Sequence, residues 1–223
     1  PDLAAGFQDI GQGIGRARLR WNQVAHGGRA GRQYPAGDIG VFRRGTLSHS
    51  AVIPLGGHHI TQDISQLLRI PPDEAERVKK RYGAAMPDLA DRDVVLEVAN
   101  PNFTTSLTTF ELAQVIRPRV IEILDLVKQN IEQRMGALEL LAGNVVITGG
   151  ASLMPGFDQV ASERFRLPVR IGKPHGFSGL TDVVASPAHA TAVGLVRYGM
   201  LHGGGKQSVS KVKQPTENSN TLF

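Results

Sequence analysis

The chain has 223 residues, a formal net charge of +5 and no cysteine. The length allows one large domain or two small ones, and the missing cysteine excludes disulfides, thiolate metal sites and cysteine nucleophiles, which fits a reducing compartment. The basic excess does not read as a nucleic-acid surface: residues 1–35 carry net +3, residues 202–223 carry net +2, and the stretch between is neutral.

No run of about 18 apolar residues is present to span a bilayer, and no charged-then-apolar signal pattern opens the chain. Pro1 stands where an initiator methionine would, so a processed, trimmed or partial chain is expected. Residues 1–36 are rich in Gly, Arg and Gln, hold the single Trp21 and keep no period for more than a few residues. They are expected to be an aberrant or disordered segment. "DIGQGIG" at 9–15 resembles a glycine-rich phosphate loop, but no strand pattern precedes it.

The patterned part begins at Gly37. "GDIGVFRRG" and "TLSHSAVIPL" alternate apolar and polar residues around a glycine turn and predict a β-hairpin. "HITQDISQLLRI" places Ile60, Ile64, Leu67 and Leu68 on one helical face. "PPDEAERVKKRYG" opens with prolines and acids, ends in bases and closes on Gly83, the polarity a helix dipole favours. "DVVLEVA" reads as a short strand. From Thr108 runs the longest predicted helix, with Thr108 and Glu111 as a capping box and a kink expected at Pro118. "NVVITGG" then reads as a buried strand into a Gly-Gly turn, followed by a helix, the strand "PVRIG" and a closing helix. "HGGGKQSVSKVKQPTENSNTLF" reads as a disordered polar tail over 202–223. This order predicts an α/β fold with a subdomain inserted into it.

Three motifs could carry chemistry, and each has an ordinary alternative. Gly149, Gly150, Ala151 and Ser152 end a buried strand just before a helix start, where glycines let the backbone lie against a flat ligand; an ordinary strand–helix turn would use the same glycines. Glu76, Lys79 and Lys80 lie on adjacent turns of one helix, as a solvated helix face also would. His58 and His59 are adjacent, cannot share one face, and have no third ligand at metal-site spacing, so no metal site is expected. No Ser-His-Asp or paired-carboxylate arrangement can be read from the spacing.

Taken in order, "GDIGVFRRGTLSHSAVIPLGGHHITQDI", "PPDEAERVKKRYG", "LAQVIRPRVIEIL", "VVITGGASLMPG", "LPVRIG" and "ASPAHATAVGLVRYG" resemble the C-terminal half of the FtsA family, the actin-like bacterial cell-division proteins. The resemblance covers about residues 37–201. It implies the second lobe of an actin/Hsp70-like ATPase fold: a core subdomain over 37–60 plus 125–201 and an inserted α+β subdomain over 61–124. It further implies that Gly149, Gly150, Ala151 and Ser152 back an adenosine while Glu76, Lys79 and Lys80 reach the ribose or base. The family's cofactor is ATP with Mg. Its partners are the C-terminal tail of the tubulin-like FtsZ, other division proteins and further copies of itself, at the inner face of the cell membrane. Arg117 and Arg119 fall in the helix that matches the FtsZ-docking region, beside the apolar positions Leu112, Val115 and Ile116, so Arg119→Glu is expected to weaken peptide binding and leave the fold intact.

The departures from the family are equally specific. The first lobe has no counterpart, the second phosphate loop survives only as Asp38 at its far end, His58 stands where the family has Asp, and no amphipathic membrane helix is visible in the tail. Codons for Ala30–Tyr34 read one base later can give Arg-Gly-Gly-Asn-Thr, close to the missing loop, so residues before about 37 are expected to be a frame-shifted or mis-joined reading. ATP binding is therefore expected to be weak or absent in this chain and hydrolysis absent. Two other actin-fold readings share the Gly-Gly turn, a type IV pilus adaptor and a chaperone-type ATPase.

Overall fold

The computed structural model describes residues 18–22, 37–100, 103–138, 143–175 and 184–202. The expected hairpin is β2 (Gly37–Arg43) and β3 (Thr46–Ile53), paired antiparallel. Its two-residue turn holds Arg44 and Gly45 at φ 49° and 84°. Two left-handed residues in a row give the turn twist that matches a right-twisted hairpin, which is why glycine stands second. Ile39 and Val41 alternate inward and are almost fully buried.

A strand not expected from the sequence lies beside this hairpin. β1 (Arg18–Asn22) pairs antiparallel with β2 and parallel with β6 (Asn144–Ile147), which pairs parallel with β7 (Val169–Ile171). The five-stranded sheet has the order β3-β2-β1-β6-β7, with Leu19 opposite both Val41 and Val145. The expectation that all of 1–36 lies outside the fold is thus corrected for 18–22. "RLRWN" alternates for only five residues, too few to stand out in a Gly- and Arg-rich stretch, and its position is set by ladder hydrogen bonds to β2 and β6 rather than by its own pattern. The phosphate-loop-like "DIGQGIG", residues 30–34 on which the expected frame shift rests, and the polar tail from Gly203 lie outside the described residues.

Between β3 and β6 come α1 (Gly57–Leu68), α2 (Pro72–Tyr82), a short 3-10 turn (Pro87–Leu89), the antiparallel pair β4 (Val95–Asn100) and β5 (Phe103–Thr108), and α3 (Thr109–Met135). β5 is not expected from the sequence, since "FTTSLT" is mostly small and polar; among its residues whose burial is described, Leu107 is the one in the core. The capping box at the start of α3 forms as expected: Thr108 Oγ1 accepts from the Glu111 amide at 3.1 Å, and Glu111 Oε2 accepts from the Thr108 amide at 2.7 Å. α3 runs unbroken through Pro118, which is exposed, as is Gln114 four residues earlier. The carbonyl that loses its intrahelical donor therefore sits on the wet side, where water can replace the bond.

Leu112, Ile116, Val120, Ile123 and Ile131 line the buried face of α3 and share one apolar core with Ile60 and Ile64 of α1 and with Phe157 and Phe165 of α4 (Phe157–Phe165). Each such buried side chain contributes about 1.5–3 kcal/mol. Position 124/125 falls inside α3, which packs on β5, α1 and α4. Ion pairs between Asp125 and Arg164, at 2.8 and 2.7 Å, and between Arg117 and Glu163, at 3.3 Å, edge the α3–α4 seam.

After β7 the chain returns through a 3-10 turn (Pro187–His189) into α5 (Ala190–His202). None of the residues 190–200 of α5 is buried, and Leu195, Val196 and Met200 are exposed, Met200 at 81%. Among the described residues no helix is long and apolar enough to cross a membrane.

Candidate functional site

β6 ends in Ile147 and the chain leaves the sheet at Thr148. The Thr148 hydroxyl lies 2.9 Å from the Gly172 carbonyl and 3.2 Å from that of Pro187, and the Gly149 amide donates to the same Pro187 carbonyl at 3.0 Å. Gly149 has φ 98°, a left-handed conformation that favours glycine. Ser152 is buried and its hydroxyl donates back to the Gly149 carbonyl at 2.7 Å, closing the 3-10 turn Gly150–Leu153. Gly150 differs from its neighbour: a Cβ built on it would meet no heavy atom within 4 Å. Its missing side chain leaves open space.

That space belongs to a cleft of ≈ 550 Å³ between this turn and the helices α1 and α2. Gly150 and Ala151 form one wall, Gly57 and Thr61 of α1 lie at its base, and Glu76, Lys79 and Lys80 of α2 face it. The structure thus brings together five of the seven residues singled out for a ligand, across more than seventy positions of sequence. Gly149 and Ser152 do not line the cleft; they shape the turn that does.

The charges in the cleft are organised by a residue for which the sequence alone suggests no role. Thr61, on the buried face of α1 next to Ile60, donates its hydroxyl to Glu76 Oε2. Lys79 Nζ donates to Thr61 Oγ1 at 2.8 Å, to Glu76 Oε2 at 2.6 Å and to the Gly57 carbonyl at 3.0 Å. Lys80 reaches the other carboxylate oxygen, Oε1, at 3.2 Å. Lys79 has only 11% of its side chain exposed, whereas Lys80 has 72%. Burial alone would push the Glu76 carboxyl up, but the hydrogen bonds from Lys79 and Thr61 outweigh it and bring it down to about 2. Burial lowers Lys79 below the ordinary lysine value, and the adjoining carboxylate restores only part of that. A polar residue on an otherwise apolar helix face, one turn after a Gly-Gly corner, was the available signal for Thr61.

His58 lines the cleft, while His59 turns inward at the start of α1, where its Nδ1 accepts from the Gly56 amide at 3.2 Å. Burial, followed by the nearby charges of Arg119 and His58, holds His59 below the usual histidine range. Arg117 and Arg119 are not at the cleft. Arg119 is held by Asp63 of α1 and by Glu122, and Arg117 by Glu163. Leu112 and Ile116 are fully buried and Val115 partly so. The apolar strip expected beside these arginines is therefore core packing, and neither arginine is a free surface charge.

A family profile described as Cell division protein FtsA matches residues 37–194. The chain is 39% identical over 165 residues to the cell division protein FtsA of Pseudomonas aeruginosa, covering 73% of this chain and 39% of that one. It is 38% identical over 183 residues to that of Escherichia coli K12, covering 78% of this chain and 44% of the relative. The chain thus spans less than half the length of these relatives. Among solved structures it resembles MreB5 of Spiroplasma citri bound to ADP, with a TM-score of 0.65 at 18% identity over 89% of this chain and 58% of that one. It also resembles the PilM-PilN type IV pilus biogenesis complex, with a TM-score of 0.57 at 15% identity over 88% of this chain and 48% of that one. At such identities these likenesses show the fold: actin-like.

Proposed function

The chain belongs to the FtsA family of cell division proteins, and on that premise we propose that it forms the nucleotide-facing half of an actin-like, ATP-binding division scaffold. The observation that carries this reading is the cleft itself. An open Gly150–Ala151 wall stands opposite an ionised carboxylate and an exposed ammonium, in a fold shared with a protein solved with ADP. A flat base can lie on a wall that lacks side chains, Glu76 Oε1 can accept a hydroxyl or amine proton, and Lys80 can meet an anionic group.

The division of labour follows from the same premise. Residues 37–60 with 125–201 act as the core subdomain and 61–124 as the insert, which gives α2 to the cleft. The scaffold's output is contact with division proteins, the FtsZ tail among them, at the inner face of the membrane, and self-association. A tail peptide that used Arg117 or Arg119 would have to exchange with Asp63, Glu122 and Glu163, so its acidic groups would replace existing ion pairs rather than fill an empty site. ATP with Mg is the cofactor of the longer protein. Backbone amides of phosphate loops and a metal supply most of the affinity for a triphosphate, and the cleft described offers chiefly the nucleoside side.

Titration calorimetry with ATP tests this. The 223-residue chain is expected to bind only in the millimolar range and not to hydrolyse ATP, while a chain extended to the length of its relatives binds far more tightly. Micromolar affinity in the short chain would contradict this division of labour. ATP binding unchanged by Gly150→Val in the long chain would remove the cleft from the site.

A further inference from the structure

We infer that Thr61 is a positioning residue for the nucleotide: its hydroxyl, set between Lys79 Nζ and Glu76 Oε2, fixes the carboxylate so that Oε1 is the oxygen left for a ligand, and it helps to occupy the donors of Lys79 at the cleft lining. This rests on the nucleotide reading and assigns a role within that site. An ammonium has three hydrogens to donate, and Lys79 has three acceptors, namely the Gly57 carbonyl, Thr61 Oγ1 and Glu76 Oε2, at 3.0, 2.8 and 2.6 Å. No donor is left for a ligand. Lys79 is also nearly enclosed, whereas Lys80, one residue on, is open to solvent.

Glu76 is divided in the same way. Oε2 takes the Lys79 and Thr61 bonds, and Oε1 has the exposed Lys80 at 3.2 Å. A carboxylate on a helix surface would rotate freely about its last torsion; here one oxygen is pinned inward, so the other points to the cleft. Of the Glu-x-x-Lys-Lys run, Glu76 and Lys80 are the ligand-facing pair, and Lys79 with Thr61 forms their support. Thr61 belongs to α1 and Glu76 to α2, so the orientation of the carboxylate depends on how these two helices are packed.

The test uses the 223-residue chain with ATP as the probe, followed by amide chemical shifts at Gly150 and Ala151, together with the titration of the Glu76 carboxyl by carbon NMR without nucleotide. Thr61→Val, which keeps the shape and removes the hydroxyl, is expected to weaken ATP binding about tenfold and to move the Glu76 midpoint upward. Thr61→Ser is expected to stay within about twofold of the parent in affinity and to keep the midpoint. A purely structural role would lower the melting temperature without moving the Glu76 midpoint. Should Thr61→Val not fold, Thr61→Cys, a much weaker donor, replaces it with the same expected order. ATP binding and a Glu76 midpoint unchanged in the hydroxyl-free variant overturn the inference. A parent chain whose Gly150 and Ala151 shifts ignore ATP, while the Glu76 midpoint still moves in Thr61→Val, overturns the nucleotide reading and leaves the support intact.

Discussion

Arg119 and Asp63 meet through two parallel hydrogen bonds, Nε to Oδ2 at 2.6 Å and Nη2 to Oδ1 at 2.8 Å, which clamp α3 to α1. About a quarter of each side chain is exposed, so the pair is better shielded than a surface ion pair. Arg119→Glu would set a third carboxylate against Asp63 and Glu122. The expected loss is about 2 kcal/mol in urea unfolding, against the near-silent change expected of a solvated arginine. Adding Asp63→Lys should recover part of it. An unchanged midpoint in the single variant would mean that the clamp contributes nothing.

Acid should act first on stability through His59 and later through Glu76. The folded-state value of His59 lies below its ordinary 6.5, so the neutral ring is the form the fold prefers. Its contribution is complete above about pH 6.5 and is lost as the pH falls through its lowered folded value. The Gly56 amide then loses its acceptor, and a cation appears beside Arg119. His59→Gln should flatten this part of the stability curve; a parent and variant with parallel curves between pH 7 and pH 5 would rule it out.

Glu76 governs a lower window. Its folded value is about 2 against an ordinary 4.5, so its contribution is present above 4.5 and lost as the pH falls from there towards 2. A third of the side chain is open to solvent, which reduces the effect to about 1 kcal/mol. Unfolding at pH 6 and pH 3 should show a drop in the parent that Glu76→Gln lacks. Equal drops in both would place the acid sensitivity elsewhere.

Two glycines near the cleft should respond in opposite ways to a side chain. At Gly150 a Cβ meets nothing within 4 Å, so Gly150→Val should change stability by no more than about 0.5 kcal/mol while blocking ligand. Gly156 has φ 79°, and a Cβ there would lie 2.9 Å from both Leu89 Cδ1 and Met86 Cγ. Gly156→Ala should cost about 1–2 kcal/mol from the left-handed backbone and the contact together. Thermal melts of the two variants decide it; a destabilised Gly150→Val would contradict the open wall.

What could be read in advance follows from where the information is local. The hairpin at Arg44-Gly45, the capping box at Thr108 and Glu111 and the helix polarity of Pro72–Tyr82 are each written within a few residues, and all form. β1 could not be read, because its place depends on β2 and β6 rather than on "RLRWN". The meeting of Glu76 and Lys80 with Gly150 came from family resemblance, since no period or spacing links α2 to the turn after β6. Thr61 stayed hidden because a threonine on an apolar helix face looks like a tolerated core residue until its partners are seen. Whether the strip at Leu112 and Ile116 is core or a docking surface is not legible in the sequence, because a helical stripe alone does not say what covers it.

The weakly buried α5 is joined to the cleft through the turn that precedes it, where Ala188 lines the cleft and Pro187 supplies a carbonyl. The Pro187 carbonyl, just before the helix, accepts from the Gly149 amide, so the turn that forms the cleft wall is tethered to a helix none of whose residues 190–200 is buried. In hydrogen exchange, α5 should therefore open at far lower free energy than the buried face of α3 and exchange its amides first. The Gly149 amide should follow α5 rather than β6, so that protection of this single proton reports whether the wall is in place.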